Sequence, residues 1–279
     1  MIITKIKDLL PYRARLLMGK FSRRVRYAYM VSIGKREMVK TCSVCDRNLV
    51  GFVHGGKLCP FCASFPRHRM LWPLIHNWLE KTTAPDLSVL LVAPDACLRD
   101  RLVKHRNANY QGLDMFTSGH YYPPDTIEGN IEATSLAADH FDLIVCSHVL
   151  EHVDNDLKAM REICRILKPG GCALLAFPFR PGTLTYEDKS IIDPQDRARA
   201  FGQWDHVRFY GEDAVDRMKD AGFEVQKLQA SDLYSTIEVV RLGLQDNEVF
   251  FLCRKSGEVS SLCSVDTSKS KLQGFYSCF

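Results

Sequence analysis

The chain has 279 residues, 46% of them apolar, and a formal net charge of +4. This is enough for one sizeable α/β domain and a small additional module. No uninterrupted apolar run reaches eighteen residues, which argues against a membrane-spanning helix. Met1-Ile2-Ile3-Thr4-Lys5 lacks the long apolar stretch and small-residue cleavage site of a secretory signal.

The charge is unevenly spread. Residues 1–40 hold eleven Lys or Arg against Asp8 and Glu37, a local +9 that leaves −5 for everything after them. Leu9, Leu10, Leu16, Leu17, Met18, Phe21, Tyr27 and Tyr29 interleave with those charges. Such a leader suits an anionic membrane surface or RNA. The plainer alternative is a solvated basic helix packed on the rest of the protein.

Residues 41–70 are short and rich in Cys, Gly and Pro. Cys42-x-x-Cys45 and Cys59-x-x-Cys62 are separated by thirteen residues that include Gly51, Gly55 and Gly56. Two such knuckles bring four thiolates into the tetrahedron that a structural zinc ion prefers, with no open position for catalysis. The Arg67-His68-Arg69 run that follows either binds phosphates or docks this module on the next domain. The other cysteines of the eleven do not form a disulfide pattern. Cys146 and Cys172 sit in apolar runs, where a reduced thiol behaves as a small hydrophobe. The expectation is a cytoplasmic protein, with membrane-peripheral contact through residues 1–40 as a variant.

Residues 71–255 alternate strand-like and helix-like patterns. Strands are predicted at Ser88–Ala93, Asn109–Leu113, Thr126–Asn130, Phe141–Cys146, Cys172–Phe177, Phe223–Val225 and Glu248–Cys253. A helix is expected through Leu98, Leu102 and Val103. Another should start with Asp154 as N-cap and present Leu157, Met160, Ile163, Cys164 and Leu167 on one stripe, with Lys168-Pro169-Gly170-Gly171 ending it. A third is expected over Gly211–Ala221. Strands alternating with helices predict an α/β fold with a doubly wound, mostly parallel seven-stranded sheet. Residues 256–279, rich in Ser and Lys, read as a disordered tail.

In such a sheet ligands bind beyond the carboxyl ends of the strands. Asp114, closing the second strand, is placed to accept both hydroxyls of a nucleoside ribose, or is an ordinary turn residue. Phe141-Asp-Leu-Ile-Val-Cys-Ser-His-Val-Leu-Glu-His-Val153 followed by Ile166-Leu-Lys-Pro-Gly-Gly171 resembles the centre of class I S-adenosylmethionine-dependent methyltransferases, of the ubiquinone-methyltransferase-like type. The cysteine pairs, Arg67-His-Arg-Met-Leu-Trp72, Ala93-Pro-Asp95, Thr185-Tyr-Glu-Asp188 and Phe201-Gly-Gln-Trp-Asp-His-Val-Arg208 resemble a narrower group, with a zinc-ribbon-like module in front. The resemblance implies S-adenosylmethionine as cofactor, with Asp114 on the ribose, Asn130 and Ile131 facing the adenine, and Cys146, Ser147 and His148 bordering the methionine. The first turn, Ala93-Pro94-Asp95-Ala96-Cys97, departs from the family's Gly-x-Gly, so either the cofactor sits slightly differently with Asp95 on its amino group, or this chain binds it weakly. Asn130 stands where an Asp is common.

Methyl transfer to a hydroxyl requires alignment and a base. His206, His148 and His152 are the candidates, His206 foremost, with Arg208 and Tyr186 lining the acceptor pocket. The bland role for His206 is a local hydrogen bond. His148, Glu151 and His152, at i, i+3 and i+4, together with His206 also resemble the cation ligands of terminal-ribose RNA methyltransferases and some ubiquinone-pathway enzymes, although those carry Glu at the position of His148. The leading expectation is a methyltransferase acting on a small, saccharide or lipid-linked hydroxylated acceptor. The alternatives are an RNA or nucleotide methyltransferase and a non-catalytic scaffold with a degenerate cofactor site.

Overall fold

The computed structural model describes residues 12–33, 39–82, 84–116, 122–245 and 247–256. The expected tail, apart from Ser256, lies outside them, as do residues 1–11 and 34–38 of the leader.

The leader forms helix α1 (Tyr12–Ser32). Tyr27 anchors it on the cysteine module: its ring meets Phe61 edge-on at 5.5 Å and its hydroxyl accepts the Val50 N–H at 3.2 Å. The opposite face leaves Leu17, Phe21, Val25 and Tyr29 exposed. Next come the short antiparallel strands β1 (Lys40–Cys42) and β2 (Arg47–Leu49). Helix α2 (Pro66–Lys81) starts at a proline, whose fixed φ suits the first helical turn. It begins inside the expected cysteine module and runs on into the next domain.

The large sheet is built from β3 (Leu87–Val92), β4 (Ala108–Asp114), β5 (Thr126–Glu128), β6 (Phe141–Ser147), β7 (Leu167–Ala176), β10 (Phe223–Gln229) and β11 (Val249–Lys255). Their order is β10-β11-β7-β6-β3-β4-β5. The five strands from β7 to β5 are parallel; β11 runs antiparallel to both its neighbours, β7 and β10, so β10 points the same way as the five. The expected seven-stranded, mostly parallel sheet is therefore present. Along β3 the side chains alternate between two cores. Leu87, Val89 and Leu91 face α2 and the cysteine module, while Leu90 and Val92 face the other side. Burial on both faces explains why β3, β6 and β7 read as near-continuous apolar runs.

Helices α3 (Ala96–Leu102), α4 (Asp156–Ile166), α5 (Pro194–Phe201), α6 (Ala214–Asp220) and α7 (Thr236–Leu242) complete the layers, and a small ribbon pairs β8 (Tyr186–Glu187) with β9 (Arg208–Phe209).

Several boundaries differ from expectation. Asn155, not Asp154, caps α4, accepting the Lys158 N–H at 3.0 Å. The buried apolar stripe of α4 is Ala159, Met160, Ile163 and Ile166, and Leu157 is only half-buried. Lys168-Pro169-Gly170-Gly171 ends α4 but belongs to β7, where the register with β6 shifts between Phe141 and Leu143. Gly170 has φ of 74°, and a Cβ on Gly171 would meet the Lys168 carbonyl at 2.9 Å, so only glycines fit this irregularity. Helix α6 starts later than Gly211 because the Asp213 carboxylate is turned back onto Thr185, accepting its N–H at 2.6 Å.

The loop after β5, which carries Asn130 and Ile131, is tied to α4 by Glu162. Its Oε1 accepts the N–H and hydroxyl of Thr134, both at 2.9 Å, and Arg165 pairs with it at 2.6 Å. Those Arg165 and Thr134 bonds outweigh burial and hold the Glu162 carboxyl down at about 2. A depressed folded-state pKa stabilises above the unfolded value near 4.5 and ceases to do so as pH falls towards 2. Because Arg165 is substantially exposed, Glu162→Gln is expected to cost roughly 1–2 kcal/mol at pH 7. In urea titrations the gap from the native chain should narrow as pH falls from 5 to 2.5. A gap that does not change with pH would contradict this.

Candidate cofactor and acceptor site

The carboxyl ends of β3, β4, β5 and β6 lie side by side, and the residues expected to touch the cofactor follow from them. At the end of β3, Ala93 takes a left-handed φ of 49°. This turn thus keeps the backbone conformation that glycine usually supplies, against a cost of about 1–2 kcal/mol for a residue with a Cβ. At the end of β6, His148 does the same with φ of 57°. Strained residues at two neighbouring strand ends are a mark of a functional edge.

Asp95 follows in the first turn. Phe65 N–H donates to His68 Nδ1 at 3.1 Å, so that nitrogen carries no proton; His68 Nε2–H then donates to Asp95 Oδ2 at 2.7 Å. Burial lowers the His68 pKa and wins over the opposing Asp95 carboxylate, keeping the ring neutral. Burial pushes the Asp95 carboxyl up, but the His68 bond and the Arg67 charge prevail and hold it below its ordinary value. Asp114 closes β4 and is half-buried. Beyond β5, Asn130 is exposed and its Oδ1 accepts the Glu132 N–H at 2.8 Å, while Ile131 is buried in the core beside α4. Cys146 packs entirely into that core, so only its backbone reaches the edge; burial raises its thiol pKa above the ordinary value. Ser147 Oγ is buried and has no hydrogen-bond partner among the described residues.

The acceptor-side candidates converge. Glu151 is fully buried; its Oε1 accepts from His148 Nδ1 at 2.9 Å, and its Oε2 has no partner among the described residues. His152 Nδ1 faces the Asp205 carbonyl at 3.3 Å, and His206 Nδ1 faces the Phe201 carbonyl at 3.3 Å. A carbonyl only accepts, so both Nδ1 atoms carry a proton, and in a neutral ring it is Nε2 that holds the lone pair. The two rings meet edge-on at 4.7 Å, and one ligand atom each of Glu151, His152 and His206 lies within 4.8 Å of the others. Burial lowers the His206 pKa, opposed by the Glu151 charge.

Arg208 differs from its expected place on a pocket wall. It is buried, and its guanidinium binds the carbonyls of Leu150, Val153 and Asp154 at 2.7, 2.5 and 3.1 Å and the Glu187 carboxylate at 3.0 Å. It therefore shapes the loop that carries Glu151 and His152. Tyr186 is half-exposed, with its ring tilted on Phe201 at 5.6 Å. Arg69 is equally buried, binding the carbonyls of Leu242, Gly243, Lys57 and Ser64 at 2.6, 2.7, 3.0 and 2.8 Å; this is the docking role. The locks of His68 on Asp95, of Arg69 on Gly243 and of Arg208 on Leu150 have no sequence-local signal, since these partners lie 27, 174 and 58 residues away.

The four cysteines also converge. Cys42 and Cys62 Sγ are 3.6 Å apart, Cys45 and Cys59 Sγ 3.8 Å, and all four sulfurs lie within 4.8 Å of one another. Thiolates about 2.3 Å from a tetrahedral zinc ion would stand about 3.8 Å apart, so the cluster fits that ion.

Residues 95–175 match the methyltransferase domain family. No curated protein matches the chain. Among solved structures the chain is similar to an S-adenosylmethionine-dependent methyltransferase from Mesorhizobium loti, at 15% identity over 66% of this chain and 97% of that one, with a TM-score of 0.44. A putative sarcosine dimethylglycine methyltransferase from Galdieria sulphuraria gives 15%, 68%, 85% and 0.46 for the same measures. Phosphoethanolamine N-methyltransferase 2 from Haemonchus contortus, solved with S-adenosyl-L-methionine, gives 13%, 66%, 53% and 0.45. The strand order and the family match over residues 95–175 define a Rossmann-like methyltransferase domain. This one carries a four-cysteine cluster ahead of its catalytic sheet.

Proposed function

We propose that the protein transfers the methyl group of S-adenosylmethionine to a hydroxyl-bearing acceptor, a saccharide or lipid-linked precursor being the expected type. The observation that carries this reading is the buried cluster beyond β6, where His152 and His206 each hold Nδ1–H on a backbone carbonyl and keep Nε2 free. When bound, the cofactor supplies an electrophilic sulfonium methyl and leaves as the neutral thioether. The chain contributes the rest. In this reading Asp114 binds the ribose and Asp95 the amino group. With acceptor and cofactor bound, His206 Nε2 would take the hydroxyl proton as the acceptor oxygen is methylated. The four cysteines hold a structural zinc ion, which supplies no chemistry to the reaction.

A second reading of the same cluster is supported by the free Glu151 Oε2: with His152 and His206 it would hold a divalent cation that binds the acceptor oxygen. Peripheral contact of α1 with an anionic surface is supported by Leu17, Phe21 and Val25 exposed beside Lys20, Arg24 and Arg26. Among the described residues no helix is long and apolar enough to cross a membrane.

The test is calorimetry with S-adenosylhomocysteine, followed by labelled methyl transfer to a panel of hydroxylated acceptors. Micromolar binding and transfer to a hydroxyl are expected. Absence of S-adenosylhomocysteine binding by zinc-loaded protein would favour the scaffold, and transfer to a nitrogen or carbon atom would overturn the acceptor class.

A further inference from the structure

The run Arg67-His68-Arg69 divides its labour. Arg69 docks the module and His68 locks Asp95, but Arg67 has no comparable partner. Its guanidinium rests on the Phe65 ring at 4.9 Å and comes no closer than 3.9 Å to Asp95 Oδ2. Its Nε is buried with no hydrogen-bond partner among the described residues. Of the five N–H donors of a guanidinium, the one on Nε is shielded from water here, and leaving it unmatched is costly.

Arg67 lines a cavity of about 370 Å³ together with Lys57, His148, Phe177, Phe179 and Glu248. The ends of β6 and β7 and the start of β11 form its walls, and the segment after the cysteines covers it. His148 brings it to the end of β6, where the methionine end of the cofactor is expected. The charges on and beside this cavity come in both signs. Lys57 and Arg67 face the carboxyl groups of Asp95 and Glu248, and burial raises the pKa of Glu248. A simple anion would meet those carboxylates unfavourably. An α-amino acid, with an ammonium and a carboxylate on one carbon, is complementary to them.

We propose that the segment following the four cysteines completes the cofactor site, Arg67 binding the α-carboxylate of the methionine end while Asp95, held by His68, binds its α-ammonium. This rests on S-adenosylmethionine being the cofactor. It also accounts for a first turn without glycine. In place of a cofactor lying directly against glycine backbone, its amino-acid end is gripped by side chains, Arg67 from the segment after the cysteines and Asp95 from the turn itself. The cysteine cluster is then part of the cofactor site rather than an appendage.

The test is a two-by-two comparison by calorimetry on the full zinc-loaded chain: native protein and Arg67→Met, each with S-adenosylmethionine and with its decarboxylated form. The decarboxylated ligand keeps the ammonium, sulfonium and adenosine and lacks only the carboxylate. A charge-assisted bidentate contact predicts that Arg67→Met weakens S-adenosylmethionine roughly 10- to 100-fold and the decarboxylated ligand less than about 3-fold. An unchanged melting temperature and the retained affinity for the decarboxylated ligand guard against a folding defect. Equal losses for both ligands, or no loss for either, would overturn the assignment. If native protein binds the decarboxylated ligand as tightly as S-adenosylmethionine, the carboxylate has no partner and the proposal fails while the methyltransferase reading stands. If native protein binds neither, that reading itself falls.

Discussion

Chelating the metal from the four-cysteine cluster, or replacing Cys59 by Ser, is expected to lower the melting temperature by roughly 10–20 °C. The size follows from how little else holds the module together. Its two strands have three residues each, and the turn at His54, Gly55 and Gly56 lies entirely in positive φ. Without an ion, four sulfurs 3.6 to 3.8 Å apart in neighbouring pairs are left with Ser64 as their polar neighbour, its Oγ 3.2 Å from Cys42 and 3.3 Å from Cys62. The damage should spread. Val44, Leu49 and Phe52 belong to the same core as α2 and β3, and Arg69 ties the module to the end of α7. Because His68 and Arg67 lie in the first turn of α2, S-adenosylhomocysteine affinity should fall with the metal. The measurements are metal content by colorimetric release, thermal unfolding with and without chelator, and calorimetry on the stripped protein. Protein that contains no metal as purified and melts identically with chelator would refute the zinc assignment.

The second large effect is on catalysis. His206→Ala is expected to reduce kcat by about 10²- to 10⁴-fold, the usual contribution of a positioned general base, with little change in S-adenosylhomocysteine affinity. His206 is buried beside Glu151 and His152, on the connection between β7 and α6 rather than at the cofactor turn. Glu151→Gln separates the two readings of this cluster. It keeps a hydrogen-bonding group near His148 but removes the charge that a cation needs. If His206 is a simple base, activity should survive a chelator weak enough to leave the cysteine site loaded, and Glu151→Gln should cost much less than His206→Ala. If the cluster holds a cation, both variants should lose activity to a similar extent, and added divalent metal should restore chelated enzyme. A His206→Ala enzyme with native kcat would remove the cluster from the reaction altogether.

Much of this was visible in the order of residues. The apolar runs at Val89–Val92 and Phe141–Cys146 announced buried strands because a doubly covered sheet leaves no face for polar side chains. The paired Cys-x-x-Cys spacing pointed to the sulfur cluster because the chemistry of a tetrahedral site is local to two short turns. Element boundaries were less legible. Asn155 displaced Asp154 as cap, and the glycine pair at 170–171 served a strand irregularity as well as a helix stop, since neighbouring cap residues differ by less than tertiary contacts contribute.

What the sequence determined alone was the alternation of strands and helices, the four-sulfur module and the identity of the groups available for chemistry. Those properties depend on side-chain type and short-range spacing. Only the tertiary structure decided what each group does. It turned Arg208 from a pocket residue into a loop anchor, set His68 on Asp95, sent the Cys146 side chain into the core and brought His206 against Glu151 and His152. Each outcome depends on a partner far along the chain, chosen because a buried polar group must find its match wherever the packing places one.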